Sequence, residues 1–282
     1  MHPSSVLILT LLVAAGSSIA GLVGSMTGLG GGVVLIPMLT LGFGIDIRYA
    51  IGASLVSVIA TSSGAAAAYV REGFTNIRIG MLLEIATSLG AILGALLAAH
   101  VDPKWIGLVF GVVLLHSAYT SLQHHEDEVL PNGESSSLAR KLRLEGSYPT
   151  PEGMRNYHVH SVPAGFALMG VAGVLSGLLG IGSGAIKVLA MDRAMKLPFK
   201  VSTTTSNFMI GVTAAASAGV YLSRGYIDPG LSMPVMLGVL SGSLLGARLL
   251  AKAQVKQLRL LFAIVITALA VEMIYNSLPG IL

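Results

Sequence analysis

The stretch Gly24-Ser25-Met26-Thr27-Gly28-Leu29-Gly30-Gly31-Gly32-Val33-Val34-Leu35-Ile36-Pro37 decides the fold of this chain. Five glycines fall within its first nine residues, and they interrupt an apolar segment that carries no Asp, Glu, Lys or Arg between Met1 and Ile45. Because glycine costs roughly 1 kcal/mol relative to alanine inside a helix, the stretch predicts a broken helix. At membrane depth, such a break is tolerated only inside protein or beside a watery cavity. The stretch therefore predicts a substrate site within a membrane protein.

The composition supports a membrane setting. The chain is 54% hydrophobic and 11% charged, and its mean hydropathy is +0.80, whereas soluble domains carry about 25% charged residues. The formal net charge of +4 comes from basic residues in loops between apolar segments, which is typical of membrane orientation and does not indicate a nucleic-acid partner. The chain contains no cysteine, which excludes disulfides and thiolate metal sites. We expect a lipid-embedded protein without a cofactor or a bound metal.

A shift of 152 residues superposes two similar halves of the sequence. The glycines that coincide are Gly21, Gly28, Gly30 and Gly32 with Gly173, Gly180, Gly182 and Gly184. The same shift, without a gap, pairs Ser54 with Ser206, Thr61 with Thr213, Tyr69 with Tyr221, Gly90 with Gly242 and Phe110 with Phe262. A constant register over about a hundred residues indicates homologous repeats. We therefore predict a first membrane repeat at 1–123, a cytoplasmic linker at 124–160 and a second membrane repeat at 161–282.

Each half contains five apolar segments. Those of the first half are approximately Val6–Val23, Val33–Phe43, Tyr49–Val70, Ile79–Ala99 and Trp105–Leu122. Those of the second half are approximately Val162–Leu179, Ala185–Met195, Val201–Leu222, Leu231–Ala251 and Leu258–Tyr275. A helix of about 20 residues crosses the hydrocarbon core, and the last three segments of each half meet that length. The opening pair, one long and one short, predicts a helical hairpin that is broken at the glycines.

The basic residues favour two repeats of opposite orientation. If each opening hairpin returns to the side where it started, the second half is inverted relative to the first. The loops 71–78, 124–160, 187–200 and 248–259 then share the cytoplasmic side and hold fourteen of the seventeen Lys and Arg residues. With parallel halves, the basic residues are nearly balanced between the two sides. We therefore predict an all-α polytopic membrane protein of two inverted-topology repeats, each a glycine-broken hairpin followed by three transmembrane helices.

The hydrophilic stretch between the halves predicts a flexible, solvated linker. It contains an acidic run at Glu126-Asp127-Glu128, a basic run at Arg140-Lys141-Leu142-Arg143, and prolines at positions 149 and 151. A short amphipathic helix around Ser136–Leu144 that lies against anionic lipid is the alternative for part of this stretch.

The chemistry of the two breaks favours an anionic ligand. Helix N-termini carry unpaired N–H groups and about half a positive charge, and glycines let a ligand approach the backbone. The short segments Val33–Phe43 and Ala185–Met195 each begin directly after a break, so both N-termini are expected to point toward the midplane. Hydroxyl and amide side chains nearby can supply the donors that an oxyanion requires. The predicted binding residues are Thr27, Gly28, Gly30, Gly31, Gly32, Ser54, Gly182, Ser183, Gly184, Thr204, Thr205, Ser206 and Asn207. Close helix packing by small residues is the alternative explanation.

Lys187 completes the predicted site. It follows Gly184 by three positions, and its repeat partner is Leu35. A lysine near the bilayer centre is costly and indicates function, here as the cationic partner of the anion. Alternatively, its side chain extends to the cytoplasmic surface. For the other intramembrane charges, Glu84 and Glu272, we favour such an extension or an interhelical hydrogen bond over proton coupling.

Two patterns resemble enzyme motifs but lack residues or elements that those motifs require. The run Gly28–Gly32 lacks the preceding strand and the acidic residue that a dinucleotide site requires. Ser183 lacks a partner base, because no histidine lies in any predicted span of the second half. We expect no enzymatic activity, and we keep an intramembrane enzyme or a packing scaffold as the alternatives from another class.

These residues resemble the sulfite and organosulfonate exporter family of the TauE/SafE type. The resemblance rests on Thr27-Gly28-Leu29-Gly30-Gly31-Gly32 with Ile36-Pro37, on Gly180-Ile181-Gly182-Ser183-Gly184, on Ala185-Ile186-Lys187-Val188 and on the run from Ser206 to Thr213. It covers both halves. The chain departs from the family pattern at Ser183, where glycine is usual, and at Leu189, where proline is usual.

The resemblance implies transport of small sulfur-containing anions such as sulfite, sulfoacetate or taurine. We expect a multi-pass protein of a bacterial inner membrane that exports such an anion. An inside-negative potential assists anion export by about 2.3 kcal/mol per charge per 100 mV, so a coupled ion is not required on energetic grounds. An anion channel with the same helix ends is the main alternative, and the sequence leaves a homodimer open.

Overall fold

A computed structural model describes residues 3–27, 31–71, 73–122, 135–150, 153–182, 184–250 and 255–278. The helices of the first half are α1 Pro3–Thr27, α2 Gly32–Pro37, α3 Ile47–Arg71, α4 Ile77–Ala98 and α5 Pro103–Leu122. The region between the halves holds α6 Ser137–Lys141 and two strands, β1 Gly146–Thr150 and β2 Gly153–Tyr157. The helices of the second half are α7 Val162–Leu179, α8 Gly184–Leu189, α9 Phe199–Ser223, α10 Pro229–Leu250 and α11 Val255–Ser277. Every apolar segment predicted from the sequence corresponds to helix in this structure.

Four helices in the described part of the chain are long and apolar enough to cross a membrane. The spans are Leu7–Gly24, Ile77–Ala98, Val162–Leu179 and Pro229–Gly246. Shorter apolar helical stretches occupy Gly32–Gly42, Ile47–Ser62, Pro103–Tyr119 and Ala263–Ser277. Large aliphatic side chains on the outer faces of these helices are exposed, as a lipid environment requires; examples are Leu7, Leu89, Leu168 and Ile264. The prediction of an all-α polytopic membrane protein is therefore confirmed for the membrane-embedded part.

After each glycine break the chain turns back along the preceding helix. A side chain built on Gly31 would lie 3.7 Å from the Cα atom of Gly21, and the sulfur of Met38 occupies the space beside Gly16. The later residue, Met38, contacts the earlier position on α1, Gly16, while Gly31 contacts Gly21. The segment that contains α2 therefore runs antiparallel to α1. In the second half the sulfur of Met195 lies beside Gly165 in the same way.

Both short helices continue as π-helix. The π-helical turns cover Met38–Gly42 after α2 and Ala190–Ala194 after α8, and these two ranges are related by the 152-residue shift of the sequence. π-helical turns are rare and frequently occur at functional sites. The repeat therefore extends to a backbone feature that the sequence pattern did not predict.

The two halves interlock through reciprocal contacts. Helix α1 packs on α10 as α7 packs on α4, while α3 packs on α9 and α5 packs on α11. Gly21 contacts the backbone of Val239, and Gly173 contacts the backbone of Thr87, which is the same contact shifted by 152 residues. Contacts that residues of the first half make with the second are thus repeated by the corresponding residues of the second half with the first.

The region between the halves is folded, so the prediction of a flexible, solvated linker is wrong for residues 135–150 and 153–160. Strands β1 and β2 form an antiparallel hairpin in which Gly146 pairs with Tyr157. Leu144, Tyr157 and Val159 are buried in one apolar cluster with the first turns of α4. Burial of these side chains supplies the free energy that a solvated linker lacks. Helix α6 lies within the stretch where the sequence predicted a short helix, and residues 124–134 lie outside the described part.

Asn76 attaches this folded region to the membrane helices. Its side-chain oxygen caps α4 by accepting from the backbone N–H of Ile79 at 3.0 Å. Its side-chain nitrogen donates to the carbonyl of Leu144 at 2.9 Å and to the hydroxyl of Tyr157 at 2.6 Å. Burial raises the pKa of the Tyr157 phenol above its usual value of 10.0, and the contact with Asn76 opposes part of that rise.

We expect Asn76→Ala to lower the free energy of unfolding by about 1–3 kcal/mol, because it removes a helix cap and leaves a buried hydrogen-bond partner unsatisfied. Thermal unfolding of the purified protein in detergent measures the effect. Asn156→Ala is the matched control, since Asn156 is exposed on β2 and should change stability by less than about 0.5 kcal/mol. Equal melting temperatures for the two variants would show that Asn76 does not hold the folded region in place.

Candidate functional site

The two glycine breaks meet between the halves of the molecule. A side chain built on Gly32 would lie 3.2 Å from the carbonyl oxygen of Gly180 and 3.4 Å from the Cα atom of Ile181. Ser54, on α3, donates from its hydroxyl to the same Gly180 carbonyl at 2.9 Å. A residue of the first half is thus hydrogen-bonded to the break of the second half.

The second break requires glycine at two positions. The φ angles of Gly180 and Gly182 are +67° and +70°, a left-handed conformation that costs other residues roughly 1–2 kcal/mol. Gly180 ends α7, and its backbone N–H donates to the carbonyl of Ser176 at 2.8 Å. The chain can therefore leave α7 and enter α8 within a few residues, and the side chains of Ile51 and Ile210 pack closely against Gly180 and Gly182.

Ser206 occupies a position on α9 equivalent to that of Ser54 on α3. It is buried, and its hydroxyl donates to the carbonyl of Gly184 at 3.2 Å. In the first half, a side chain built on Gly32 would lie 2.6 Å from the Ser54 hydroxyl. Each serine thus lies against the glycine that begins the short helix of its own half.

The other predicted binding residues of α9 do not hydrogen-bond to the described residues of the glycine breaks. The hydroxyl of Thr204 donates to the carbonyl of Lys200 at 2.9 Å, within its own helix. The hydroxyl of Thr205 accepts from the backbone N–H of Asn76 at 3.1 Å, so it holds the start of α4. Asn207 is half-buried, and no hydrogen bond joins its side chain to the described residues. Of the run Thr204–Asn207, only Ser206 is seen to hydrogen-bond to a break.

Several predicted site residues lie outside the described part of the chain. These are Gly28, Gly30 and Ser183, together with the side chain of Thr27, whose backbone ends α1. Gly31 is described: it is buried and precedes α2 directly, beside Val239 of α10.

Lys187 is fully buried, so the interpretation that its side chain extends to the cytoplasmic surface is wrong. Its relative exposure is 0%, and its ammonium donates to the Thr213 hydroxyl at 2.6 Å. Packing of α8 against α9 directs the side chain into the protein, where a hydroxyl takes the place of water. Among the buried residues that the structure describes, Lys187 is the only charged one.

Thr213 connects Lys187 to Glu84, a link that sequence reasoning missed. The Thr213 hydroxyl lies 2.8 Å from Glu84 Oε1 and 3.0 Å from the Met209 carbonyl oxygen. Ser88 also donates to Glu84 Oε1, at 2.8 Å. The prediction of an interhelical hydrogen bond at Glu84 therefore holds. The polar chain joins α4 of the first half to α8 and α9 of the second.

Glu272 lies away from this site. It borders an open groove of about 770 Å³ on α11, lined by Ala263, Ile264, Thr267, Ala268, Val271, Glu272 and Tyr275. Helix α11 packs on α5, and none of the predicted binding residues that the structure describes lines the groove.

Taken together, these features define a polytopic membrane protein in which two interlocked halves bring their broken helices together, with a buried lysine in the short helix that follows the second break. Secondary transporters use this type of site, built from interrupted helices at the interface of two repeats. The chain belongs to the sulfite exporter TauE/SafE family, whose family model matches residues 13–273.

Relatives of the chain carry transporter names. It is 26% identical over 267 residues to the probable membrane transporter protein YunE of Bacillus subtilis, covering 92% of this chain and 95% of the relative. It is 27% identical over 284 residues to the probable membrane transporter protein MJ0441 of Methanocaldococcus jannaschii, covering 95% of this chain and 96% of the relative. No solved structure matches the chain. The family and these names indicate a membrane transporter rather than an enzyme.

Proposed function

We propose that this protein exports small sulfur-containing oxyanions across a bacterial inner membrane, through a midplane site between two inverted-topology repeats. The substrates are sulfite or organosulfonates such as sulfoacetate or taurine. One observation carries the proposal: Lys187 is fully buried, and it lies only three positions after Gly184, where α8 begins behind the second glycine break. The name of the family supplies the sulfur chemistry.

The doubled-back hairpins support the inverted orientation. Since α2 runs back along α1, the opening element of each half ends on the side where it began. Three crossing helices then carry the chain to the opposite side of the membrane. The second half therefore begins on the side opposite to the one where the first half began. Under this arrangement the basic loops collect on the cytoplasmic side.

The donors near the breaks suit a tetrahedral or pyramidal oxyanion. A lysine ammonium has three donors and no acceptor, and a serine hydroxyl adds one donor. In the structure Lys187 uses one of its donors on Thr213, while Ser54 and Ser206 donate to backbone carbonyls of the second break. An anion that binds beside Gly32 and Gly184 can take over these serine donors. Its charge is compensated by the ammonium in a medium of low dielectric constant, where attraction is strong.

Anion-dependent thermal stabilisation tests this proposal. A ligand that binds only the folded protein at 100 times its Kd adds about 2.7 kcal/mol of stability. We expect sulfite or a sulfonate to raise the melting temperature of the wild type, and chloride at equal ionic strength to leave it unchanged. The double variant Lys187→Met/Glu84→Gln should lose the effect, because it removes the cation without leaving an isolated charge.

Lys196→Met is the matched control, because Lys196 is exposed and lies nine positions beyond Lys187. It should retain the full anion-dependent shift. If no sulfur anion shifts the wild type, or if the double variant keeps the shift, the proposed site is wrong.

A further inference from the structure

We propose that Glu84 is a proton-binding site coupled to the substrate: one proton binds its carboxylate when a monovalent anion binds beside Lys187, and proton and anion cross together. This inference rests on the proposed function and adds to it the coupled ion. It makes transport of a monovalent sulfonate electrically neutral, with its direction set by the combined gradients of anion and protons.

The arrangement of Glu84 is the first observation. Its Oε1 atom receives hydrogen bonds from Thr213 and Ser88, each at 2.8 Å. Its Oε2 atom is buried and has no hydrogen-bond partner among the described residues. A buried carboxylate oxygen without a donor is costly, and protonation of the carboxyl group would remove the charge that makes it so.

The balance of charge is the second observation. Lys187 and Glu84, joined through Thr213, make the site neutral when no anion is present. A monovalent anion beside Lys187 would leave two negative charges on one buried cation. Because a like charge nearby disfavours the ionised form of a carboxylic acid, binding of the anion favours protonation of Glu84. The site is then neutral again, with one proton bound for each anion.

No other charge within the described surroundings of Glu84 takes this role. Helix α7, which packs on α4, carries no titratable side chain. On α9, Lys200 is about 20 Å along the helix from Thr213, with its ammonium over the ring of Phe74. The other titratable residue of α9 is Tyr221, which donates to the carbonyl of Gly177. On α4 itself, Arg78 donates to the carbonyl of Arg143 in the folded linker.

The hydroxyl of Thr213 can form a hydrogen bond with Glu84 in either protonation state. Its hydroxyl lies 2.8 Å from Glu84 Oε1 and 3.0 Å from the Met209 carbonyl. While Glu84 is ionised, Thr213 donates to the carboxylate. Once Glu84 has taken a proton from the water of the loading side, Thr213 can donate to Met209 and accept from Glu84 instead. On the opposite side the anion leaves, and Glu84 returns the same proton to water.

Proteoliposomes containing the wild-type protein and methanesulfonate test the coupling. Methanesulfonate is the anion of a strong acid, so any proton that moves with it is carried by the protein. We expect efflux to raise the internal pH, with one proton leaving for each anion. At steady state the anion ratio should follow the pH gradient, about tenfold per pH unit, and a potential set with valinomycin and K⁺ should leave it unchanged.

The outcomes separate the two proposals. Methanesulfonate flux without proton movement, and with a steady-state ratio that follows the potential, would overturn the role of Glu84 while the proposed function stands. Flux of sulfite but not of methanesulfonate above that of protein-free liposomes would overturn the coupling alone, and flux of neither anion would overturn the proposed function as well.

Two variants examine Glu84 directly. Glu84→Gln should move methanesulfonate without protons and make the flux depend on the potential. Ser88→Ala removes one hydrogen bond to the ionised carboxylate, so the midpoint of the pH dependence of transport should rise while one proton still accompanies each anion. Proton movement at the wild-type ratio in Glu84→Gln would contradict the role of Glu84 as the proton-binding site. If Glu84→Gln does not fold, an unshifted pH profile of transport in Ser88→Ala would contradict it instead.

Discussion

The substitution Lys187→Met is expected to lower the free energy of unfolding by about 3–5 kcal/mol, the cost of leaving a buried charge without its partner. Lys187 is fully buried and is connected to Glu84 through Thr213. Its removal therefore leaves the carboxylate of Glu84 without a compensating positive charge. Methionine has a similar length, which limits any additional cost from a cavity. Equilibrium unfolding of the purified protein in detergent or mixed micelles measures the change.

The double variant Lys187→Met/Glu84→Gln should recover most of this loss. It removes both charges and keeps their approximate volumes, and replacement of interacting charges in the interior by neutral residues is often neutral or stabilising. The interaction energy from the double-mutant cycle then reports the coupling between the two side chains. A single Lys187→Met variant as stable as the wild type would contradict the buried, paired lysine.

The substitution Gly173→Ala should destabilise the protein by about 1–3 kcal/mol or more, as overpacking does in a closely packed interior. A side chain at this position would lie 2.8 Å from the Cα atom of Thr87. The obstacle is backbone, which cannot rotate away as a side chain can. Thermal unfolding in detergent gives the change in stability.

Gly170→Ala is the matched control on the same helix and should have the opposite sign. No described atom lies within 4 Å of a side chain built there, so the substitution should stabilise α7 by about 0.5–1 kcal/mol through the helix propensity of alanine. If both substitutions change stability equally, the close contact between α4 and α7 is wrong, and the reciprocal packing of the two halves is in doubt.

The sequence predicted the helices and the repeat because both depend on local or periodic features. Apolar length determines a membrane helix, and the breaks follow from glycine. The described linker residues were predicted wrongly for the opposite reason: Leu144 and Val159 are ordinary in sequence, and only their burial against α4 shows that they fold.

The polar chain at Lys187 could be predicted only in part. The lysine itself was identified, since a charge in an apolar segment is conspicuous. Its connection to Glu84 was not, because the repeat pairs these residues with Leu35 and Met236, so the symmetry of the sequence gives no indication that they meet. Thr213 could be singled out because it ends the segment from Ser206 that resembles the family. Its hydrogen-bond partners could not be predicted, because Lys187 and Glu84 lie on other helices.

The most direct test of the account is the efflux of sulfite and methanesulfonate from proteoliposomes. We expect the wild type to release at least one of these anions well above the rate of protein-free liposomes. The folded double variant Lys187→Met/Glu84→Gln should release neither above that background. Release by the double variant at the wild-type rate would contradict a substrate site at Lys187. A wild-type protein that is folded and correctly inserted but moves neither anion would contradict the proposed function.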